Sequence, residues 1–126
     1  MAESNKKIEI GNLDHKSRDY RGWVAGHFID QASPLSISEF EVKWGRHSKG
    51  EKKEKVAANK TAKTLAILIS GKFKLEFPEL GEDAVLAQEG DYVFYDAGVA
   101  HTWEVLEDCL IINIRWPSVP NDQIAS

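Results

Sequence analysis

Short stretches of alternating apolar and polar residues recur along the chain, and they predict β-strands. In the clearest stretch, Phe73, Leu75 and Phe77 alternate with charged residues at positions 72, 74 and 76. A period of two places successive side chains on opposite faces, so one face of this strand is predicted to lie in a core and the other in water.

The segment from Leu35 to Trp44 alternates in the same way, with one displaced position at Ile37. We expect its apolar side to face the core, and that side comprises Phe40, Val42 and Trp44. The opposite side is expected to face solvent and comprises Glu39, Glu41 and Lys43.

Ser70-Gly71 predicts a tight hairpin, Glu107-Asp108 predicts a turn, and Arg21 to Ile29 predicts an added N-terminal strand. Many short strands with almost no helical periodicity indicate an all-β barrel or sandwich. Further strands are predicted at Thr64 to Ile69, Ala84 to Ala87, Tyr92 to Tyr95, Thr102 to Leu106 and Leu110 to Trp116. The predicted core comprises Phe40, Val42, Leu65, Ile67, Phe73, Leu75, Phe77, Val93, Val105 and Ile112.

A chain of 126 residues is long enough to form one domain with its own core. Its single cysteine, Cys109, lies in an apolar run and is expected to be buried, which fits a reducing compartment. Residues Met1 to Lys7 are polar, and no window approaches the ~20 apolar residues that span a bilayer. We therefore expect a cytoplasmic protein without membrane contact, and the net charge of −4 argues against general nucleic-acid binding.

Charge is unevenly distributed, because the segment from Arg46 to Lys63 holds seven basic residues and two acidic ones. Such a segment is most often a solvated loop, or a strand edge that lysines keep from pairing with other chains. It also fits an interaction module whose basic surface docks an acidic partner.

The region around His101 resembles the second motif of the cupin family, G-x5-P-x-G-x2-H-x3-N. Gly90, Gly98 and His101 occupy its glycine and histidine positions, whereas Asp96 and Val105 replace its proline and asparagine. The resemblance covers Ile37 to Trp116. It implies a double-stranded β-helix, the cupin or jelly-roll barrel.

This resemblance implies one cupin domain over residues 1–126, with 1–30 as an N-terminal extension and 117–126 as a C-terminal tail. Alternation along the strand after the turn places His101, Trp103 and Val105 on one face, which is expected to point inward. The functional pocket is then expected in the mouth of the barrel, around His101.

The first cupin motif, G-x5-H-x-H-x3,4-E-x6-G, is degenerate in this sequence. With Gly71 as its last glycine, Thr64 stands at the glutamate position, Lys60 or Asn59 at the second histidine, and an alanine at the first. Three of the four ligands implied by the family are therefore missing. We expect no bound metal or other cofactor.

The first functional hypothesis is a protein that binds a small molecule, a sugar or small organic acid, with His101 as the catalytic residue if the chain is an enzyme. Whether it is an enzyme is left open by the sequence. Barrels of this size enclose pockets with aromatic walls and a few polar groups. The expected ligand-binding residues are Trp44, Asn59, Thr64, Trp103, Asn113 and Arg115.

The alternative is a metal-dependent cupin enzyme of the dioxygenase or isomerase type. It would hold one divalent transition metal through His101 and His47, helped by Glu51 or Glu54. In either case we expect a homodimer, because the segment from Arg18 to Ile29 resembles a strand beyond the minimal barrel and could pair across a two-fold axis.

Overall fold

The computed structural model describes residues 6–125, in which eight β-strands follow two short helical turns. The helical turns are α1 (Leu13–Lys16) and a 3-10 turn (Ser17–Asp19). The strands are β1 (Trp23–Ala25), β2 (Glu41–His47), β3 (Ala57–Asn59), β4 (Lys63–Phe77), β5 (Glu82–Leu86), β6 (Tyr92–Tyr95), β7 (Thr102–Trp116) and β8 (Gln123–Ala125).

The two longest strands, β4 and β7, pair antiparallel along their whole length and bend together at Gly71 and Asp108. Gly71 has a φ of +87°, and a Cβ added there would lie 2.0 Å from the carbonyl oxygen of Asp108. The predicted hairpin at Ser70-Gly71 and turn at Glu107-Asp108 are therefore wrong. Glycine lets a continuous strand bend with a register shift, instead of reversing the chain.

The bend divides each long strand between two sheets. In the first sheet, the first half of β4 and the second half of β7 join β1, β2 and β6. In the second sheet, the other halves join β5, and residues 50–57 bond along the free side of β7. One core cluster unites both sheets and includes Ala66, Leu68, Phe73, Leu75, Val105 and Ile111. The predicted antiparallel barrel is confirmed.

In the second sheet the core prediction is confirmed. Phe73, Leu75, Phe77 and Val105 are all buried, and they face the interior with the alternation expected from the sequence. Cys109 is buried as well, and burial raises the pKa of its thiol to about 11.

In β2, in the first half of β4 and at Ile112 of β7 the predicted faces are wrong, whereas Val93 of β6 packs against the core as predicted. Phe40 precedes β2 and is 40 % exposed, whereas Glu41 is buried. In the first half of β4 the buried residues are Thr64, Ala66 and Leu68, while the intervening Leu65 and Ile67 are half-buried on the other side, as is Ile112 of β7. The first sheet therefore turns polar positions inward and a row of apolar residues outward.

Both predicted appendages contribute strands to the structure. In the extension 1–30, β1 covers Trp23–Ala25 of the predicted Arg21 to Ile29 strand and pairs with β2 of the same chain. In the tail 117–126, β8 pairs with β3, which the sequence pattern did not predict. Within residues 6–125, no helix has the length and apolarity needed to cross a membrane.

Candidate functional site

His101 lies immediately before β7, at the end of the barrel where β3 ends and β4 begins. Only 2 % of its surface is exposed, its backbone bonds to Ala57, and its ring packs on Tyr95 with 4.4 Å between centroids. Its Nδ1 atom lies 3.0 Å from the carbonyl oxygen of Val99. Because a carbonyl can only accept, Nδ1 carries the proton, and Nε2 of the neutral ring is an acceptor.

Burial lowers the pKa of His101 below its ordinary value of 6.5. The hydrogen bond to Val99 opposes this shift, and the charges of Lys53 and Arg115 reinforce it. His101 is therefore neutral at pH 7, with its lone pair on Nε2.

We expect nitrogen-15 NMR at pH 7 to show a His101 ring protonated at Nδ1 only, with a titration midpoint below 6.5. The unfolded chain binds a proton near pH 6.5 and the folded chain does not, so the free energy of unfolding falls as pH drops from 6.5 through the folded-state pKa. A ring protonated at Nε2, or titrating at 6.5 or above, contradicts the placement of His101.

The structure selects among the residues that the first motif allowed. Ala57 pairs with His101, and Asn59 and Thr64 are buried at the same end of the barrel, whereas Lys60 is exposed. Oδ1 of Asn59 is buried and has no hydrogen-bond partner among residues 6–125. The buried Thr64 hydroxyl lies beside the phenol of Tyr95; burial raises the pKa of Tyr95, and this hydrogen bond opposes the rise. Within the described residues, one buried acceptor is therefore left without a donor.

These side chains do not fit a divalent metal ion. Around His101 they offer one imidazole, an amide and a hydroxyl, while Ala57 offers no ligand atom. A stable site needs three or four converging N, O or S ligands, and the nearby Lys53 and Arg115 would repel a cation. In the described part of the chain, no three His, Cys, Asp or Glu side chains converge on one point.

His47 does not join His101. It lies opposite Cys109 in the strand register, close to the bend, and its ring packs on Trp103 with 5.1 Å between centroids. Its Nδ1 lies 3.2 Å from Oε1 of Glu51, and Glu54 is exposed. The residues of the metal-dependent alternative are therefore not brought together with His101.

Two basic side chains of the first sheet lie over one aromatic ring. Nζ of Lys43 is 5.6 Å from the ring centre of Trp23, and the guanidinium of Arg115 is 5.2 Å from it. A cation held over an indole face is stabilised by the ring quadrupole. Trp23 thus forms an aromatic wall beside both cations.

A third basic side chain, Lys53, points inward from the segment before β3. Its neighbour Lys52 lies opposite Glu104 in a backbone β-bridge on the outer surface, and the side chains of successive residues in extended backbone point to opposite sides. Burial lowers the pKa of Lys53, and the charges of Arg115 and Lys43 lower it further. Burial and Arg115 lower the pKa of Lys43 in the same way. The three cations are close enough to repel one another.

Glu41 opposes part of this positive charge. Its Oε2 lies 3.7 Å from Nη1 of Arg115, and its Oε1 accepts a 3.0 Å hydrogen bond from the Ser118 hydroxyl. Burial nevertheless raises the pKa of Glu41, against the influence of Ser118 and Arg115. Nε of Arg115 is buried and has no partner within the described residues. Asp122 adds a second buried carboxylate to this group, and its charge also raises the pKa of Glu41. Three cations therefore face two carboxylates.

A cavity of about 340 Å³ opens beside Glu41 and Arg115, and Lys43, Lys53 and His101 are not among the residues that line it. Ligand pockets in proteins start at roughly 300 Å³, so this cavity suits a ligand of a few carbon atoms. Its walls come from β1, β2, β3, the end of β7 and the C-terminal tail, and include Trp23, Glu41, Asn59, Arg115 and Asp122.

Four of the predicted ligand-binding residues lie at this end of the barrel: Asn59, Thr64, Asn113 and Arg115. Asn113 faces inward, because it lies opposite the buried Ala66 in the strand register. Of these four residues, Asn59 and Arg115 line the cavity, and a ligand-binding role for any of them stays a prediction.

Two predicted tryptophans lie elsewhere. Nε1 of Trp44 donates to Oδ1 of Asp14 at 2.6 Å, which places the indole on the outer surface beneath α1. Trp103 faces inward but stacks on Phe73, at 5.5 Å between ring centroids, and on His47. The structure therefore does not bring these two residues to His101.

The sequence reasoning missed Lys43, Lys53, Tyr95 and Trp23. Lys43 was assigned to solvent because it alternates with Val42 and Trp44, and alternation alone cannot tell which face is inside when the interior is polar. A sequence signal for Lys53 existed in the basic stretch from Arg46 to Lys63, but the stretch contains seven basic residues and does not single it out.

The chain matches no protein-family model, and no curated protein matches it significantly. Solved structures with the same fold do match. A conserved protein with a double-stranded β-helix domain from Klebsiella pneumoniae has a TM-score of 0.70 at 14% identity, covering 100% of this chain and 98% of that one.

Two further structures with this fold belong to proteins that carry specific names. KdgF from Halomonas has a TM-score of 0.57 at 20% identity, covering 64% of this chain and 72% of its own. Oxalate decarboxylase from Bacillus subtilis has a TM-score of 0.61 at 18% identity, covering 82% of this chain and 26% of its own. Likeness at such identities concerns the fold. The chain adopts the double-stranded β-helix fold of the cupins.

Proposed function

We propose that this protein binds a small organic acid in the mouth of the barrel, next to His101 and without a metal ion. The observation that carries the proposal is the group of Lys43, Lys53 and Arg115, whose three charges exceed the two of Glu41 and Asp122. Like charges that are partly buried are unfavourable unless an anion compensates them. A carboxylate supplies that compensation and accepts from donors such as Nε of Arg115.

Hydroxyl groups on the ligand would complete the remaining bonds. Oδ1 of Asn59 is a buried acceptor without a donor among residues 6–125, and Nε2 of His101 is an acceptor too. The Thr64 hydroxyl can accept or donate. Of the two ligand classes expected from the sequence, these groups favour an acid that also carries hydroxyls, such as a hydroxy acid or sugar acid.

His101 has a defined chemical capacity at this position. A neutral imidazole with its lone pair on Nε2 can accept a hydrogen bond or a proton from the ligand. The catalytic role predicted for His101 would take the form of a general base, although the proposal itself covers binding. Oxalate decarboxylase, by its name, acts on a small carboxylate within the same fold.

Isothermal titration at pH 7 and low ionic strength tests the proposal, with gluconate, malate and oxalate as acids and glucose as the neutral probe. We expect at least one acid to bind and glucose not to bind, with affinity falling as salt screens the cations. Affinity should also fall as pH rises, because Lys43 and Lys53 lose their positive charges. Since the pKa values of both lysines are lowered, this fall should begin before pH reaches the ordinary lysine pKa of 10.5. Equal binding of glucose, or no binding of any acid, contradicts it.

Removing single charges localises the site. Arg115→Gln and Lys53→Gln should each weaken the best acid about 10-fold or more, since hydrogen bonds to charged groups contribute roughly 1.5–3 kcal/mol. Lys52→Gln is the matched control, because Lys52 is the exposed neighbour of Lys53 and lies opposite Glu104 in a backbone β-bridge. A loss in the control as large as in Lys53→Gln would place the anion outside the barrel.

The location in the cytoplasm and the lack of membrane contact predicted from the sequence stay predictions. Cell fractionation with an antibody to the chain would test both.

A further inference from the structure

The outer surface of the barrel changes character at the bend of the long strands. Beyond the bend in β4, outward residues are Lys72, Lys74 and Glu76, and Lys74 pairs with Glu76 at 3.2 Å and with Asp83 at 3.7 Å. This is the usual polar outer face of an antiparallel sheet. Before the bend, the outward residues of the same strand are the apolar Leu65, Ile67 and Ile69, after an exposed Lys63 at the start of the strand.

Two complete rows of apolar residues cross the outside of the first sheet, over β2, β7, β4 and β6. Within each row, every residue lies directly opposite the next in the strand register. One row comprises Val42, Ile114, Leu65 and Phe94, and the other comprises Trp44, Ile112, Ile67 and Tyr92. We call these eight residues the outer apolar face.

Solvent reaches this face most on the side of β6, where Tyr92 is 68 % and Phe94 is 48 % exposed. On the side of β2, α1 lies against Trp44 through its bond to Asp14. Neither row contains a charged residue. A β-sheet face of this composition is expected to be covered in the native assembly.

The N-terminal arm that leads into α1 is also apolar and uncovered. Ile8 and Ile10 are 74 % and 88 % exposed, although Glu9 between them fixes the arm to its own chain through Ser33 at 2.9 Å and Lys16 at 3.5 Å. Because α1 lies on the outer surface at Trp44, the arm ends beside the β2 side of the outer apolar face.

We propose that the outer apolar face is a homodimer interface, on which a second copy of this chain packs sheet against sheet. A two-fold dimer buries the same face on both copies, and an uncharged face needs no partner of opposite charge. A stable interface buries ~800 Å² on each partner, and each buried aromatic residue supplies ~150–250 Å². The exposed parts of Tyr92 and Phe94, together with the half-buried aliphatic residues of both rows, are the apolar surface available for this contact.

This interface differs from the one predicted on the sequence, which used the segment from Arg18 to Ile29. Most of that segment is turn, and its strand, β1, is paired with β2. The proposal does not depend on what the barrel binds, because the outer apolar face lies on the opposite side of the sheet from Lys43 and Arg115.

Light scattering after gel filtration, at micromolar concentrations, tests the interface. We expect the natural chain to have twice the mass of one chain, and Phe94→Glu to shift it to the monomer mass with its circular dichroism unchanged. Tyr92→Glu should do the same, and Tyr92 is so exposed that its replacement leaves the core intact. Val85→Glu is the matched control, because Val85 is 49 % exposed and lies opposite Lys74 outside the second sheet.

The control is expected to remain dimeric. A natural chain that is monomeric throughout the concentration series overturns the proposal. So does a dimer that survives both substitutions in β6, because its interface must then lie elsewhere.

Discussion

Gly71→Ala should destabilise the protein more than any other single alanine substitution of a glycine. The new Cβ would lie 2.0 Å from the carbonyl oxygen of Asp108 and 2.6 Å from Cα of Cys109, both of them backbone atoms of the paired strand. Relief requires β4 and β7 to separate at the bend, where both sheets meet. We expect a loss of at least ~4 kcal/mol in the free energy of unfolding, a large part of the ~5–15 kcal/mol typical of a small domain.

Gly90→Ala separates the steric clash from backbone strain. Gly90 has a φ of +90°, close to the +87° of Gly71, but a Cβ there would meet no atom within 4 Å. The left-handed conformation alone costs an L-residue roughly 1–2 kcal/mol. Urea unfolding of the two variants should therefore differ by about 2 kcal/mol or more, and equal losses would show that strand contact at the bend is unimportant.

The bend also explains which part of the fold the sequence could predict. The alternation of Phe73, Leu75 and Phe77 follows from pattern alone, because one face of the second sheet is polar and in water. Strand β6 of the first sheet also has its predicted range, Tyr92–Tyr95. At the bend the sequence pattern predicts a hairpin, because Ser70-Gly71 is a common turn dipeptide. Only the contact between Gly71 and Asp108, 37 positions away in the chain, shows that the strand continues.

The sequence pattern predicts the wrong inner and outer faces for much of the first sheet, and the reason is physical. Pattern analysis assigns apolar residues to the interior, but here the interior face carries Glu41 and Lys43 and the exterior carries Val42 and Trp44. Such an inversion is expected where a protein places function on both sides of a sheet. In our proposals the inner side binds an acid and the outer side binds a second copy.

The site was predictable to the extent that chain spacing determines it. The glycine turn before His101 located the histidine, and counting back from Gly71 located Thr64. The spacing could not decide between Asn59 and Lys60, because both satisfy the motif. Burial and the pairing of Ala57 with His101 decide it in favour of Asn59.

If Ala57, Asn59 and Thr64 occupy the ligand positions of the first motif, restoring the family's ligands at these positions should create a metal site. A variant with Ala57→His, Asn59→His and Thr64→Glu places three new ligands around Nε2 of His101. We expect it to take up close to one zinc, manganese or nickel ion per chain, whereas the natural chain retains almost none after dialysis. The gain follows because one imidazole cannot hold a divalent ion against water, whereas four converging ligands can.

Elemental analysis of dialysed protein measures the effect, and circular dichroism confirms that the variant is folded. The control adds His101→Ala to the three substitutions and should lose most of the metal, because the fourth ligand is gone. A folded triple variant without metal would show that positions 57, 59 and 64 do not converge on His101. Stoichiometric metal in the natural chain that disappears in His101→Ala would instead overturn the prediction of a metal-free barrel. It would show that the positive charges of Lys53 and Arg115 do not keep a metal ion away from His101.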